Sequence, residues 1–140
     1  MGAGKLMGDN PAVLIVAHGS RRAQAVDFLE VMAVQVRQRL GVSRVDIAYL
    51  ENGEPDVASA IENCFSEGVR RLVVIPFFLS PGVHVTVDLP REVAAARQTF
   101  PDLQILQANF LGAHPALGGV LCELFLDCVK TAHWLVSKED

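Results

Sequence analysis

Cysteine is scarce in this 140-residue chain: there are three, Cys64, Cys122 and Cys128, with no CxxC pair. An odd number inside predicted helices gives no disulfide framework, and the three are expected to be buried or half-buried thiols in a reducing cytosol. Excess positive charge is also missing. Twelve basic against sixteen acidic residues give a net charge of −4, which argues against general nucleic-acid binding. An anionic small molecule stays open, because a local arginine or a helix N-terminus can act against the global sign. No apolar run is long enough to cross a bilayer. No basic segment precedes a signal-type apolar stretch, so a cytoplasmic protein without a membrane partner is expected. Aromatics reach only 6% while apolar residues make up 51%, the profile of an aliphatic-rich α/β protein. The length suits one domain with an ordinary core. Residues 1–10 are small and polar and read as a flexible tail, leaving 11–140 as the single domain. Gly2-Ala3-Gly4-Lys5 lacks the upstream strand, the full spacing and the Ser/Thr of a phosphate loop.

After the tail, strand and helix signals alternate. Strands are expected over 12–17, 44–50, 71–77 and 104–108, and helices over 22–40, 55–68, 87–99 and 115–135. Ala25, Leu29, Met32, Val36 and Leu40 recur at helical spacing, and Gly41 stops that helix. Pro55 and Pro90 suit first-turn positions. Val57, Ala60, Ile61, Cys64 and Phe65 should face inward. The first and third strands are continuous apolar runs, as expected where both sheet faces are covered. Four βα units with right-handed crossovers imply a three-layer α/β sandwich around a four-stranded parallel sheet, of flavodoxin-like type. The last helix is apolar around most of its circumference, from Leu117 to Leu135. It is expected to be buried on two sides, the second against another subunit; a wide core stripe with some exposed leucines is the alternative.

Ligands bind such sheets at the carboxyl ends of the strands. Three ends should converge: His18-Gly19-Ser20-Arg21, Glu51 after Tyr49-Leu50, and Ser80-Pro81-Gly82-Val83-His84. Two imidazoles and a carboxylate suit a divalent transition metal with positions left open. The plainer readings are a turn histidine bonded to backbone, a capping loop residue and a solvated strand-end carboxylate. Gly19 and Gly82 would let backbone approach a ligand. Ser20 is a candidate cap for the first helix, whose free N–H groups, with Arg21, could hold carboxylates. Glu54 and Asp56 read as first-turn acids of the second helix. Asp88 reads as a cap or leader of the third, His114 as the entry to the fourth, and His133 as exposed.

Ala17-His18-Gly19-Ser20-Arg21, Tyr49-Leu50-Glu51, the 76–84 stretch followed by Asp88-Leu89-Pro90, and Leu111-Gly112-Ala113-His114-Pro115 together resemble the class II tetrapyrrole chelatases. The similarity is to the small CbiX/SirB-type sirohydrochlorin chelatases and covers nearly the whole chain. It implies chelatase-like βα repeats and a lyase that inserts Co²⁺, Fe²⁺ or Ni²⁺ into sirohydrochlorin without nucleotide hydrolysis. Cobalt is the first expectation. The product would feed cobalamin, sirohaem or F430 synthesis, and no organic cofactor is implied. It also implies a homodimer whose cleft is completed between subunits. His18 and His84 would hold the metal, and one imidazole or Glu51 would accept a pyrrole proton. Ser20, Arg21, Ser80 and Gly82 would hold the substrate's carboxylates. Asn52-Gly53 departs from the pattern, and Gly53 is expected to loosen Glu51. The rival reading is a non-catalytic metal or tetrapyrrole binder of the same fold.

Overall fold

A computed structural model of the chain describes residues 10–20 and 22–134, except the side chains of 23–25. Its elements run β1 (Ala12–Ala17), α1 (Ala23–Leu40), β2 (Val45–Tyr49), α2 (Val57–Ser66), β3 (Arg71–Pro76), a π-helical turn (His84–Asp88), α3 (Leu89–Thr99), β4 (Gln104–Gln107), a 3₁₀ turn (Leu111–Ala113) and α4 (Leu117–Thr131). The four strands form one parallel sheet in the order β2-β1-β3-β4. The expected α/β sandwich is therefore present. No described helix is long and apolar enough to cross a membrane.

Register decides which side chains share a face, because paired residues of parallel strands point the same way. Leu14 and Val16 of β1 join Leu72, Val74 and Ile105 in the larger core, beneath Val57, Ala60, Ile61 and Cys64 of α2 and Leu89, Val93 and Ala96 of α3. Val13 and Ile15 face the other way, toward Ala33 of α1, with Ile47 and Ile75 beside them. The layers are thus α1, the sheet, and α2 with α3. Burial pushes the Cys64 thiol up to about 12, with Asp46 adding to the shift. At that value Cys64 is an inert core thiol that donates to Asp46.

Local chemistry moves several expected boundaries. Pro55 lies before α2, because its carbonyl accepts the Tyr49 N–H and prolongs the β2 edge. Asp56 is the cap of α2, accepting from the Ser59 N–H at 2.8 Å, and Glu54 stays outside the first turn. Pro90 does occupy the first turn of α3. Leu40 is exposed, since the inward stripe of α1 runs through Leu29 and Ala33.

Two larger departures concern burial. All six residues of β1 are buried, but β3 alternates along its length. Its second face is only half covered, although its sequence reads as continuously apolar. α4 is not buried on two sides. Of its described residues only Val129 is buried, while Leu121 and Phe125 are 65% and 64% exposed. Leu135 lies outside the described residues.

Candidate metal centre

Three chain segments meet at the carboxyl edge of β1, β2 and β3. The β1–β2 ladder continues past both strands: Leu50 N–H donates to Ala17 O at 3.0 Å and Glu51 N–H to His18 O at 2.8 Å. This approach requires Gly19. Its φ is +118°, and a Cβ there would sit 1.5 Å from the Glu51 carbonyl oxygen. The close contact that glycine permits is thus to Glu51 rather than to a ligand.

The Glu51 loop is not loosened by Gly53. A Cβ on Gly53 would come within 2.7 Å of the Tyr49 ring, so the loop folds back onto that side chain. Asn52 supports the turn with φ of 48°, and Asp56 pairs with Tyr49 as an isolated bridge. His84 opens the π-helical turn that runs directly into α3, where the Leu89 N–H reaches back to His84 O. A π turn inside a helix is frequent at functional sites.

His18 Nε2 lies 3.4 Å from Glu51 Oε2, and His84 Nε2 lies 3.6 Å from Glu51 Oε1. The imidazole centroids are 4.9 Å apart and tilted by 59°. One ligand atom from each of the three residues falls within 4.8 Å of the others. Atoms bound at about 2.0–2.2 Å to one ion lie at most about 4.4 Å apart. The His18–Glu51 and His84–Glu51 separations of 3.4 and 3.6 Å lie within that span. The site is open, with His18 and Glu51 side chains about half exposed (51% and 50%).

His84 Nδ1 is 2.8 Å from Asp88 Oδ2. With Nδ1–H donating to the Asp88 carboxylate, Nε2 is left as the ring's ligating atom, the arrangement found behind metal-binding histidines. Asp88 stands at the start of α3, as its place in the sequence suggests, but makes no side-chain cap there. Its bond to His84 replaces that role. The four-residue spacing signals the pair once helix is taken back to His84; a helix begun at Val87 hides it.

A family model, CbiX, matches residues 12–128. The chain belongs to the CbiX family. It is 34% identical over 124 residues to a chloroplastic sirohydrochlorin ferrochelatase of Arabidopsis thaliana, covering 89% of this chain and 55% of that protein. A sirohydrochlorin cobaltochelatase of Methanopyrus kandleri is 29% identical, covering 86% of this chain and 96% of that one. The sirohydrochlorin chelatase SirB from Bacillus subtilis subspecies spizizenii, solved in complex with cobalt, superposes with a TM-score of 0.74 at 24% identity. That likeness covers 84% of this chain and 50% of SirB. The CbiX chain thus spans little more than half of the Arabidopsis protein and half of SirB.

Around the triangle of this CbiX chain, Ser20 and Phe28 help line a hollow of about 230 Å³ beside His18. Arg91, which the sequence reading overlooked, lines one of about 170 Å³ with Glu51, His84 and Asp88. A 660 Å³ hollow at the β3–β4 end is lined by none of His18, Glu51 and His84. Ser20 does not cap α1 directly; its hydroxyl accepts the Arg22 N–H at 3.1 Å, one residue before the helix starts. Arg21 lies outside the described residues. Ser80 and Gly82 are exposed on the loop before His84. The Ser80 carbonyl accepts from Gly82, and the Gly82 carbonyl accepts from Val85 and Thr86. Gly82 has no close neighbour that a side chain would strike. His114 does mark the entry to α4, its Nδ1 accepting from the Ala116 N–H at 3.0 Å. His133 is exposed.

Proposed function

We propose that this chain is a lyase that inserts a divalent metal into sirohydrochlorin: Co²⁺ first, otherwise Fe²⁺ or Ni²⁺. The observation that carries the reading is the His18–Glu51–His84 triangle, two imidazole nitrogens 3.4 and 3.6 Å from the two oxygens of one carboxylate. Nitrogen and oxygen donors of this kind suit mid-to-late first-row divalent ions. Ferrochelatase and cobaltochelatase names among the relatives support the substrate and leave the metal between iron and cobalt.

The metal is a substrate here. His84 and His18 receive it through Nε2, and Glu51 balances part of its charge. Transfer to the macrocycle releases two pyrrole protons for each metal ion taken up. One imidazole or Glu51 accepts one of them, and solvent takes the other. Exposed donors suit a ligand that must be released again. Ser20, Arg21, Ser80 and Gly82 are assigned to the carboxylates of the tetrapyrrole. No nucleotide and no organic cofactor enters the reaction. The working form is a homodimer with a cleft shared between subunits. Its three free cysteines suit a reducing compartment such as the cytoplasm.

The test is anaerobic absorbance of sirohydrochlorin with a trace of protein and Co²⁺, Ni²⁺ or Fe²⁺ in turn, against protein-free controls. Conversion of many equivalents per protein is expected, and the rates rank the metals. A spectral change that stops at one equivalent would make the protein a binder, and no change would remove the assignment.

A further inference from the structure

Beside the metal triangle stands a cation with no partner among the described residues, Arg91. His84, Asp88 and Arg91 follow at spacings of four and three, so they share one face where the π-helical turn runs into α3. Leu89, Val93 and Ala96 turn the neighbouring face into the core. Side chains of a helix lean toward its N-terminus, which brings the long Arg91 side chain back toward His84. It lines one hollow of about 170 Å³ with Glu51, His84, Asp88 and Glu92.

Several other arginines are already engaged. Arg44 pairs with Asp46 and Glu67. Arg70 donates to the carbonyls of Phe65 and Val69 and lies over the Phe65 ring. Arg97 donates to Ile105 O. Arg91 has three carboxylates in its hollow and pairs with none. Asp88 is turned to His84 Nδ1 at 2.8 Å, and Glu51 lies 3.4 and 3.6 Å from the two imidazoles. Glu92 is exposed, and a lone exposed carboxylate offers an exposed guanidinium little.

The size of the hollow decides what it can take. At about 30 Å³ per water it holds about six waters. That is room for one acid side arm and too little for a ring of four pyrroles, which would lie across the mouth. A tetrapyrrole carries its acid arms on the rim and its metal at the centre. A cation for a rim carboxylate must stand back from the metal rather than beside it. Seven helical residues set the Arg91 backbone about 10 Å from that of His84.

We propose that Arg91 holds one carboxylate arm of the tetrapyrrole in this hollow and so sets how the macrocycle lies over His84. The planar fork of the guanidinium gives one N–H to each carboxylate oxygen. Glu92, beside it, opposes the arm by like charge and lowers its affinity. The assignment rests on the chelatase reading of the preceding section.

The experiment measures the Kd of metal-free sirohydrochlorin from its fluorescence, then KM and kcat with Co²⁺. It compares the parent with Arg91→Ala, Arg91→Lys and Glu92→Gln. Both positions are exposed, so circular dichroism and the thermal midpoint should match the parent. Arg91→Ala is expected to raise Kd and KM about tenfold, as for one bidentate charge-assisted bond, with kcat within about threefold. Arg91→Lys should recover part of that loss, because a point charge replaces the fork. Glu92→Gln should lower Kd. The gap between parent and Arg91→Ala should narrow as salt rises. Co²⁺ titrated without tetrapyrrole should bind Arg91→Ala no more weakly than the parent, since only a cation is removed. Weaker Co²⁺ binding with an unchanged sirohydrochlorin Kd would overturn the proposal in favour of Arg91 supporting the metal triangle. A parent that converts sirohydrochlorin while Arg91→Ala keeps its Kd and KM would refute the carboxylate hollow alone. A parent that binds sirohydrochlorin more tightly than Arg91→Ala but never converts it would refute the activity alone.

Discussion

The two imidazoles of the site are held in different ways. His84 stands on a helical turn, and Asp88, four residues on, fixes its Nδ1 at 2.8 Å. Its side chain is 33% exposed. His18 stands on a turn after β1 and is held through its backbone, by the Glu51 N–H and the close approach at Gly19. Its ring meets Glu51 and the His84 ring, and it is half exposed. A ring fixed at one nitrogen presents the other in a set direction. A ring whose side-chain contacts are a half-exposed carboxylate and another imidazole is freer to turn toward an incoming ligand. In the proposed site His84 is thus the fixed donor and His18 the adjustable one, with Glu51 between them.

The sharpest way to break this comparison is to remove the fixed donor. His84→Ala is expected to reduce metal insertion by at least about 100-fold, since a ligand should matter at least as much as its supporting partner. Folding should survive, because His84 is partly exposed and outside the core. Turnover at the parent rate would remove His84 from the site. Asp88→Ala should act in the same direction but less, at about 10–100-fold in metal affinity. It leaves the imidazole in place and frees its tautomer and rotation. Titration with Co²⁺ followed by absorbance reads this directly. The comparison fails if His18→Ala costs more affinity than His84→Ala and Asp88→Ala costs none.

The adjustable side is tested at Gly19. Gly19→Ala forces a side chain into φ of +118° and against the Glu51 carbonyl. Backbone strain of that kind costs about 1–3 kcal/mol before any clash is counted. Chemical denaturation should show that loss, and activity should fall with it as His18 and Glu51 separate. Gly82→Ala, which meets open space, is the control expected to leave stability unchanged within about 0.5 kcal/mol.

Much of this was legible in the chain. Val13 to Val16 and Leu72 to Ile75 read as strands, and parallel crossovers bring their ends together, so His18, Glu51 and His84 follow from topology. Three things did not follow. The apolar run of β3 does not say that one of its faces lacks a helix, because hydrophobicity records what a residue tolerates and not what covers it. For the same reason α4 reads as doubly buried when the single chain buries only Val129 among its described residues. Asp88 reads as a cap because carboxylates are common at helix starts. Its bond to His84 depends on a π turn that local propensity does not announce. Gly53 shows the converse: flexibility inferred from composition gives way to the Tyr49 ring packed against it.

Glu51, the carboxylate between the imidazoles, rests on a loop that ends at Asp56, and a smaller effect is expected there. Asp56 caps α2 through the Ser59 N–H. The Ser59 hydroxyl and its backbone N–H hold the Asp56 carboxyl below its ordinary value of 3.8, against a weaker opposing effect of burial. A folded-state pKa below the unfolded one means that the unfolded chain binds the extra proton as pH falls. This contribution is therefore complete above the unfolded value and is lost as pH drops through the folded one. Asp56→Ala should cost about 1 kcal/mol at pH 7, the usual worth of such a cap. The gap between parent and variant in denaturation midpoint should hold down to about pH 5 and shrink below about pH 4. Metal affinity at pH 7 should change far less than in Asp88→Ala, because Asp56 steadies the end of the loop and not a donor atom. A gap that widened on acidification would mean that Asp56 is bonded in its protonated form, and the capping account of this third arm would be wrong.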